Sequence, residues 1–117
     1  MFIKKYCNWT EFRKLPNLME VDFHNVQNKD ISTYLEKMDA VWYETLHSLK
    51  HAQEKGFHYV LFTHGHSTSY PGTKTSRSQV RSVMKSKEAT PYIIRKDCIQ
   101  HDSVFVAKIR PLKNITE

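Results

Sequence analysis

What most restricts the fold of this chain is a strand–helix–strand run between residues 19 and 63. Met19–Val26 alternates apolar and polar side chains, the period of a half-buried strand. Val21 and Phe23, with Val26 a further candidate, face inward. Asp22 and His24 then share the opposite side, because residues i and i+2 lie on one face of a strand. Ile31, Leu35, Met38, Trp42, Leu46 and Leu49 follow at three- and four-residue spacing, which predicts a long helix with one buried stripe, capped by Asn28 or Asp30. Gly56 is placed to end that helix in a left-handed C-cap. Residues 57–63 are rich in β-branched and aromatic side chains and form the second strand. Two strands joined by a crossover helix run parallel in one sheet.

The remainder extends this unit. Residues 64–73 carry Gly65, Pro71 and Gly72, the mark of a loop. Ser76 with Gln79 reads as a capping box opening a helix to about Lys87, with Val80, Val83 and Met84 as its apolar stripe. Pro91 follows it. Tyr92–Arg95 and Ser103–Ile109 read as two further strands, joined by a polar turn around Asp97–Asp102. The expected order is β-α-β-α-β-β, a two-layer α/β or α+β sandwich with a mixed four-stranded sheet and two helices. Residues 1–17 hold Phe2, Ile3, Trp9, Phe12 and Leu15 among basic residues and read as an arm that packs on the domain formed by residues 18–117.

A length of 117 residues suits one domain, and 39% hydrophobic with 26% charged residues is the balance of a folded chain. The two cysteines, Cys7 and Cys98, form no CxxC pair and read as reduced thiols. No leader-like or membrane-spanning apolar run is present in the sequence, so a cytoplasmic protein is expected, with no membrane partner and as a monomer. The net charge of +6 favours polyanionic partners, since each phosphate contact releases a condensed counterion.

Chemistry is expected where the carboxyl ends of the two parallel strands meet, because ligands of such sheets bind in the crevice there. Asp22 and His24 end the first strand; His64, Gly65 and His66 directly follow the second. The second helix opens beside the same edge, so its free backbone amides, with Lys74 and Arg77 at the entrance, add a cradle for phosphate. Arg77, Arg81 and Lys85 recur at four-residue spacing, a phosphate-binding stripe or a solvated charged face. Tyr70 could stack on a base or cover the core. His47 and His51 have the spacing of a helical metal pair but lack an acidic third ligand, and a solvated face is the better reading. His58 and His101 belong to no constellation in the sequence.

Across roughly residues 18–110 the chain resembles the Smr domain, a small module named for its occurrence in MutS-related proteins. The family's D-L-H-G motif corresponds to Asp22-Phe23-His24-Asn25, and its H-G-x-G or T-G-x-G/H-S motif to Thr63-His64-Gly65-His66-Ser67. Its L-R-x-x-V-x-x-x-L helix start corresponds to Ser76-Arg77-Ser78-Gln79-Val80 followed by Met84. Asn25 and Ser67 stand where the family has glycine. The resemblance implies a fold similar to the C-terminal domain of a bacterial translation initiation factor, and endonuclease activity on RNA, notably at the ribosome, or on DNA. It implies Asp22 and His24 as the acid/base pair, His64 and Gly65 as shapers of the phosphate pocket and Arg77 as a phosphate ligand; His66 corresponds to the variable position or to the histidine of the H-S form. Such chemistry needs no obligatory cofactor when RNA supplies its own 2′-hydroxyl. The alternatives are a non-catalytic RNA- or DNA-binding module of the same fold, and a protein-interaction domain docking through its aromatic arm.

Overall fold

The computed structural model describes residues 2–5, 8–23, 34–64 and 75–111. In chain order these residues form β1 (Ile3–Lys4), β2 (Leu18–Asp22), α1 (Tyr34–Lys55), β3 (Tyr59–Thr63), α2 (Ser76–Lys85), β4 (Ile99–Gln100) and β5 (Val104–Lys108), with short 3₁₀ segments at Trp9–Lys14, Lys87–Ala89 and Arg95–Asp97. One mixed α+β sheet holds the strands in the order β1-β4-β5-β3-β2. β2 pairs with β3 and β1 with β4 in parallel, whereas β5 is antiparallel to both of its neighbours. Four strands therefore send their carboxyl ends to one edge, and β5 alone starts there.

The sheet has five strands rather than the four expected, because Ile3–Lys4 of the arm adds an edge strand too short to show alternation. The expected strand at Tyr92–Arg95 reduces to one bridge, Ile93 with Ile109. Beyond it Arg95 turns away: its guanidinium donates to Met84 O at 2.8 Å and Ser86 O at 2.6 Å, carbonyls at the end of α2. The strand lies instead at Ile99–Gln100, inside the stretch read as a polar turn, next to the fully buried Cys98.

Gly56 ends α1 as its position demands. It adopts φ 83°, with Phe57 N donating to Ala52 O at 2.9 Å and Gly56 N to Gln53 O at 3.3 Å, the two bonds of a Schellman cap. The buried stripe of α1 is turned from the expected one. Met38 and Leu49 are buried and Trp42 and Leu46 half-buried, but Val41, Thr45, Ser48 and Ala52 complete the covered face. Thr45 tolerates burial because its hydroxyl donates to Val41 O at 2.7 Å. Asn28, Asp30 and Ile31 lie outside the described residues, as does the Leu35 side chain.

The start of α2 also differs from the expectation. Thr75 is the N-cap, and its box partner is Ser78: Ser78 N donates to Thr75 Oγ1 at 3.1 Å and Thr75 N to Ser78 Oγ at 2.9 Å. Gln79 is unavailable for that role, since its buried carboxamide donates to Met38 O of α1 at 2.9 Å. Val80, Val83 and Met84 are fully buried, and the helix ends at Lys85 rather than about Lys87.

The sheet is covered on both faces. Val60, Phe62, Phe105, Ala107 and Phe23 pack with the buried residues of α1 and α2. On the other face Leu61, Val104 and Val106 pack with Phe12 of the Trp9–Lys14 segment, flanked by Trp9, Leu15, Leu18, Tyr59 and Ile99. Among the described residues, no helix is long and apolar enough to cross a membrane.

Candidate nucleic-acid interface

Register decides which side chains meet at the carboxyl edge. Asp22 lies opposite Thr63, and Thr63 opposite Val104. Val104 packs with Phe12, so this row faces the arm. One row further out, Phe23 N donates to Thr63 O at 2.8 Å and His64 N to Ser103 O at 3.2 Å. The alternation that turns Val60 and Phe62 toward the helices continues to His64, which is buried. Asp22 and His64 thus reach the same edge, but a one-residue offset sends their side chains to opposite faces of the sheet. Asp22 is exposed there. His24, Gly65, His66, Tyr70 and Lys74 lie outside the described residues.

On the helix face, α2 brings two arginines to the turn between β4 and β5. Arg77 Nη1 donates to Asp102 O at 3.3 Å and Arg81 Nη2 to His101 O at 3.1 Å. The turn is braced from within, since Ser103 N donates to Nδ1 of the buried His101 at 3.0 Å, and the His101 ring meets Phe12 edge-on with centroids 5.9 Å apart. Ser103 O accepts from His64 N, so this one turn joins His64, Arg77 and Arg81.

Burial and like charge meet at Arg81. Burial, then the neighbouring Arg77, depress the pKa of Arg81, and Asp102 opposes them. Arg81 Nε is buried without a hydrogen bond. Two neighbouring guanidinium groups, one of them partly desolvated, form a site that an anion would stabilise. The amino end of α2 adds its dipole at the same place.

Lys85, the third residue of the stripe, leaves this cluster and lines a cavity at the β1–β4 end of the sheet with Phe2, Lys4, Arg95 and Gln100. His101 and Asp102 were invisible as site residues in the sequence, because their link to Arg77 and Arg81 exists only once β4 and β5 form a hairpin. The one available signal was a pair of arginines four residues apart that needed acceptors.

His47 and His51 stack on the exposed side of α1 with ring centroids 6.5 Å apart. Among the described residues, no group of three His, Cys, Asp or Glu side chains could hold a metal ion. The chain matches no family model, no curated protein and no solved structure.

Proposed function

We propose that this chain is a nucleic-acid-binding domain of the Smr type whose sheet edge carries an endonuclease site, with RNA favoured over DNA. The observation that supports it best is the Arg77–Arg81 pair, held on the same His101–Ser103 turn that accepts the His64 backbone N–H. Arginine forks match the paired oxygens of a phosphodiester, and an anion here would offset the cost of burying Arg81 beside Arg77. The net charge of +6 would draw the polyanion in.

Cleavage of RNA by its own 2′-hydroxyl forms a bond from O2′ to phosphorus and breaks the bond from phosphorus to O5′. One group must take the 2′ proton and another must protonate the departing 5′ oxygen. Asp22 and His24 are assigned to these transfers as the acid/base pair; His64 with the arginines would stabilise charge on the non-bridging oxygens.

A second reading, a non-catalytic binding module, draws on a specific observation: the Asp22 and His64 side chains project from opposite faces of the sheet. One experiment separates the two. Parent, His24→Ala and Arg81→Gln chains are incubated with structured RNA and plasmid DNA, with and without chelator, and binding is followed across a salt series. The endonuclease reading expects RNA products that fall about 100-fold or more in His24→Ala while binding persists. It also expects Arg81→Gln to weaken binding and reduce the salt slope by about one. Binding without products under every condition would leave the binding module; equal cleavage by parent and His24→Ala would remove His24 from the site.

A further inference from the structure

Away from the arginine pair, a cavity of about 370 Å³ opens among the carboxyl ends of β1 and β4 and the last turn of α2. Its lining residues are Phe2, Lys4, Lys85, Arg95 and Gln100. Lys4 and Gln100 are register partners on adjacent strands. The cavity shares its edge with Asp22 but sits at the far side of the sheet, four strand intervals or about 19 Å away.

We propose that this cavity binds the phosphate-bearing end of a nucleotide. Three cations line it, and no carboxylate is among its described lining residues. Lys4 and Lys85 are exposed and can swing onto an anion; Arg95 is fixed. Its Nε, Nη1 and Nη2 donate to Met84 O, Thr90 Oγ1 and Ser86 O at 2.8, 3.0 and 2.6 Å. A guanidinium has five N–H donors, so two are left for a ligand. The same bonds cover the carbonyl end of α2, which would otherwise repel an anion. Arg95 therefore makes the end of a helix that disfavours phosphate into one that accepts it.

The other walls indicate what the phosphate is attached to. The volume falls within the range of small-molecule pockets, and a bare phosphate would fill only a fraction of it. Phe2 forms an apolar wall, held edge-on against Phe105 with ring centroids 5.0 Å apart and planes at 86°. The Gln100 carboxamide presents a donor and an acceptor together, the pattern that meets a base edge. An anionic end joined to a flat, hydrogen-bonding body is a nucleotide, either free or at the end of a strand. The assignment stands apart from the cleavage reading, because it uses neither Asp22, His24 nor the arginine pair.

The test uses the full chain at low ionic strength. Uridine 5′-monophosphate, uridine, inorganic phosphate, and a decanucleotide with and without a 5′-phosphate are titrated while backbone amide shifts and binding heats are recorded. The mononucleotide should bind saturably and shift the Lys4, Lys85 and Gln100 amides, with uridine and inorganic phosphate each about tenfold weaker or worse. The Lys4→Gln/Lys85→Gln double variant, in which both replaced side chains are exposed, should melt with the parent and lose about tenfold or more in affinity. Lys50→Gln/Lys55→Gln, the same charge change at exposed positions of α1, should bind the mononucleotide as the parent does. Saturable binding of the phosphorylated strand alone, dependent on the two lysines, would identify a strand end as the source. Absence of saturable binding for both, equal affinity in the Lys4→Gln/Lys85→Gln variant, or a matching loss in Lys50→Gln/Lys55→Gln would overturn the proposal. Failure of the cleavage assay leaves these titrations unchanged, so the two ideas fall separately.

Discussion

The two faces of the sheet are covered by very different means. On one, α1 and α2 bury Phe62, Phe105, Val80, Val83 and Met84 completely. On the other, a six-residue 3₁₀ segment places Phe12 over Leu61, Val104 and Val106, helped by exposed contacts such as Arg13 over Trp9 at 4.7 Å. The thick face is a core in its own right; the thin one is a lid of local structure on a finished sheet. The candidate site straddles both, with Asp22 on the thin face and His64, Arg77 and Arg81 on the thick one. The thin cover also reaches the arginine pair, because Phe12 packs on the His101 ring of the turn to which Arg77 and Arg81 donate.

That contrast can be broken by mutation. The largest effect is expected from Phe62→Ala, which leaves a cavity enclosed by both helices and should cost about 4 kcal/mol in denaturant unfolding. Next comes Cys98 at high pH. Burial pushes its thiol up to about 11 from 9.0, although the Lys108 N–H bond pulls the other way. In the unfolded chain the thiol ionises near its ordinary value, so the folded state holds the proton longer. The resulting stability is fully present below pH 9 and fades as pH rises toward 11, a loss of about 2–3 kcal/mol. The stability gap between parent and Cys98→Ala, measured in urea, should shrink by that amount over this range; a constant gap would show that the thiol is not desolvated.

On the thin face, Phe12→Ala should cost about 2 kcal/mol, because water can enter and no sealed cavity remains. Amide exchange should then quicken in residues 9–15 ahead of β3 and β5. Exchange that quickens equally everywhere would make the arm part of the main core. The smallest effect concerns the helix that carries the arginines. Thr75→Ala should cost about 1 kcal/mol and Ser76→Ala almost nothing, since Thr75 provides the cap. The reverse order would restore the sequence expectation.

The thick face was the legible one. Val21 and Phe23, the Gly56 cap and the Val80–Val83–Met84 stripe follow from strand and helix periods, which local sequence carries directly. The turned stripe of α1 was hidden because Thr45 and Ser48 do not look like core residues, and the Thr45 hydroxyl is satisfied only by its own helix. β1 and β4, at two residues each, are too short to show a period, and the sheet acquires them through long-range pairing. The candidate site divides the same way. Its position at the strand ends could be read from topology, whereas the facing of Asp22 against His64 depended on register, and the tie from Arg77 and Arg81 to the β4–β5 turn depended on a hairpin whose first strand lies at Ile99–Gln100 rather than at the expected Tyr92–Arg95.

The pairing of β1 with β4 has a kinetic consequence. Ile3 meets Ile99 across a loop of about a hundred residues, closed by only two register pairs. Loop closure on that scale is costly and is repaid only after β5 and β3 have formed the platform on which β4 sits. The edge strand should therefore be the last element to dock during folding and the first to fray. The order in which the protein assembles thus ends with the strand pairing that spans the longest stretch of chain.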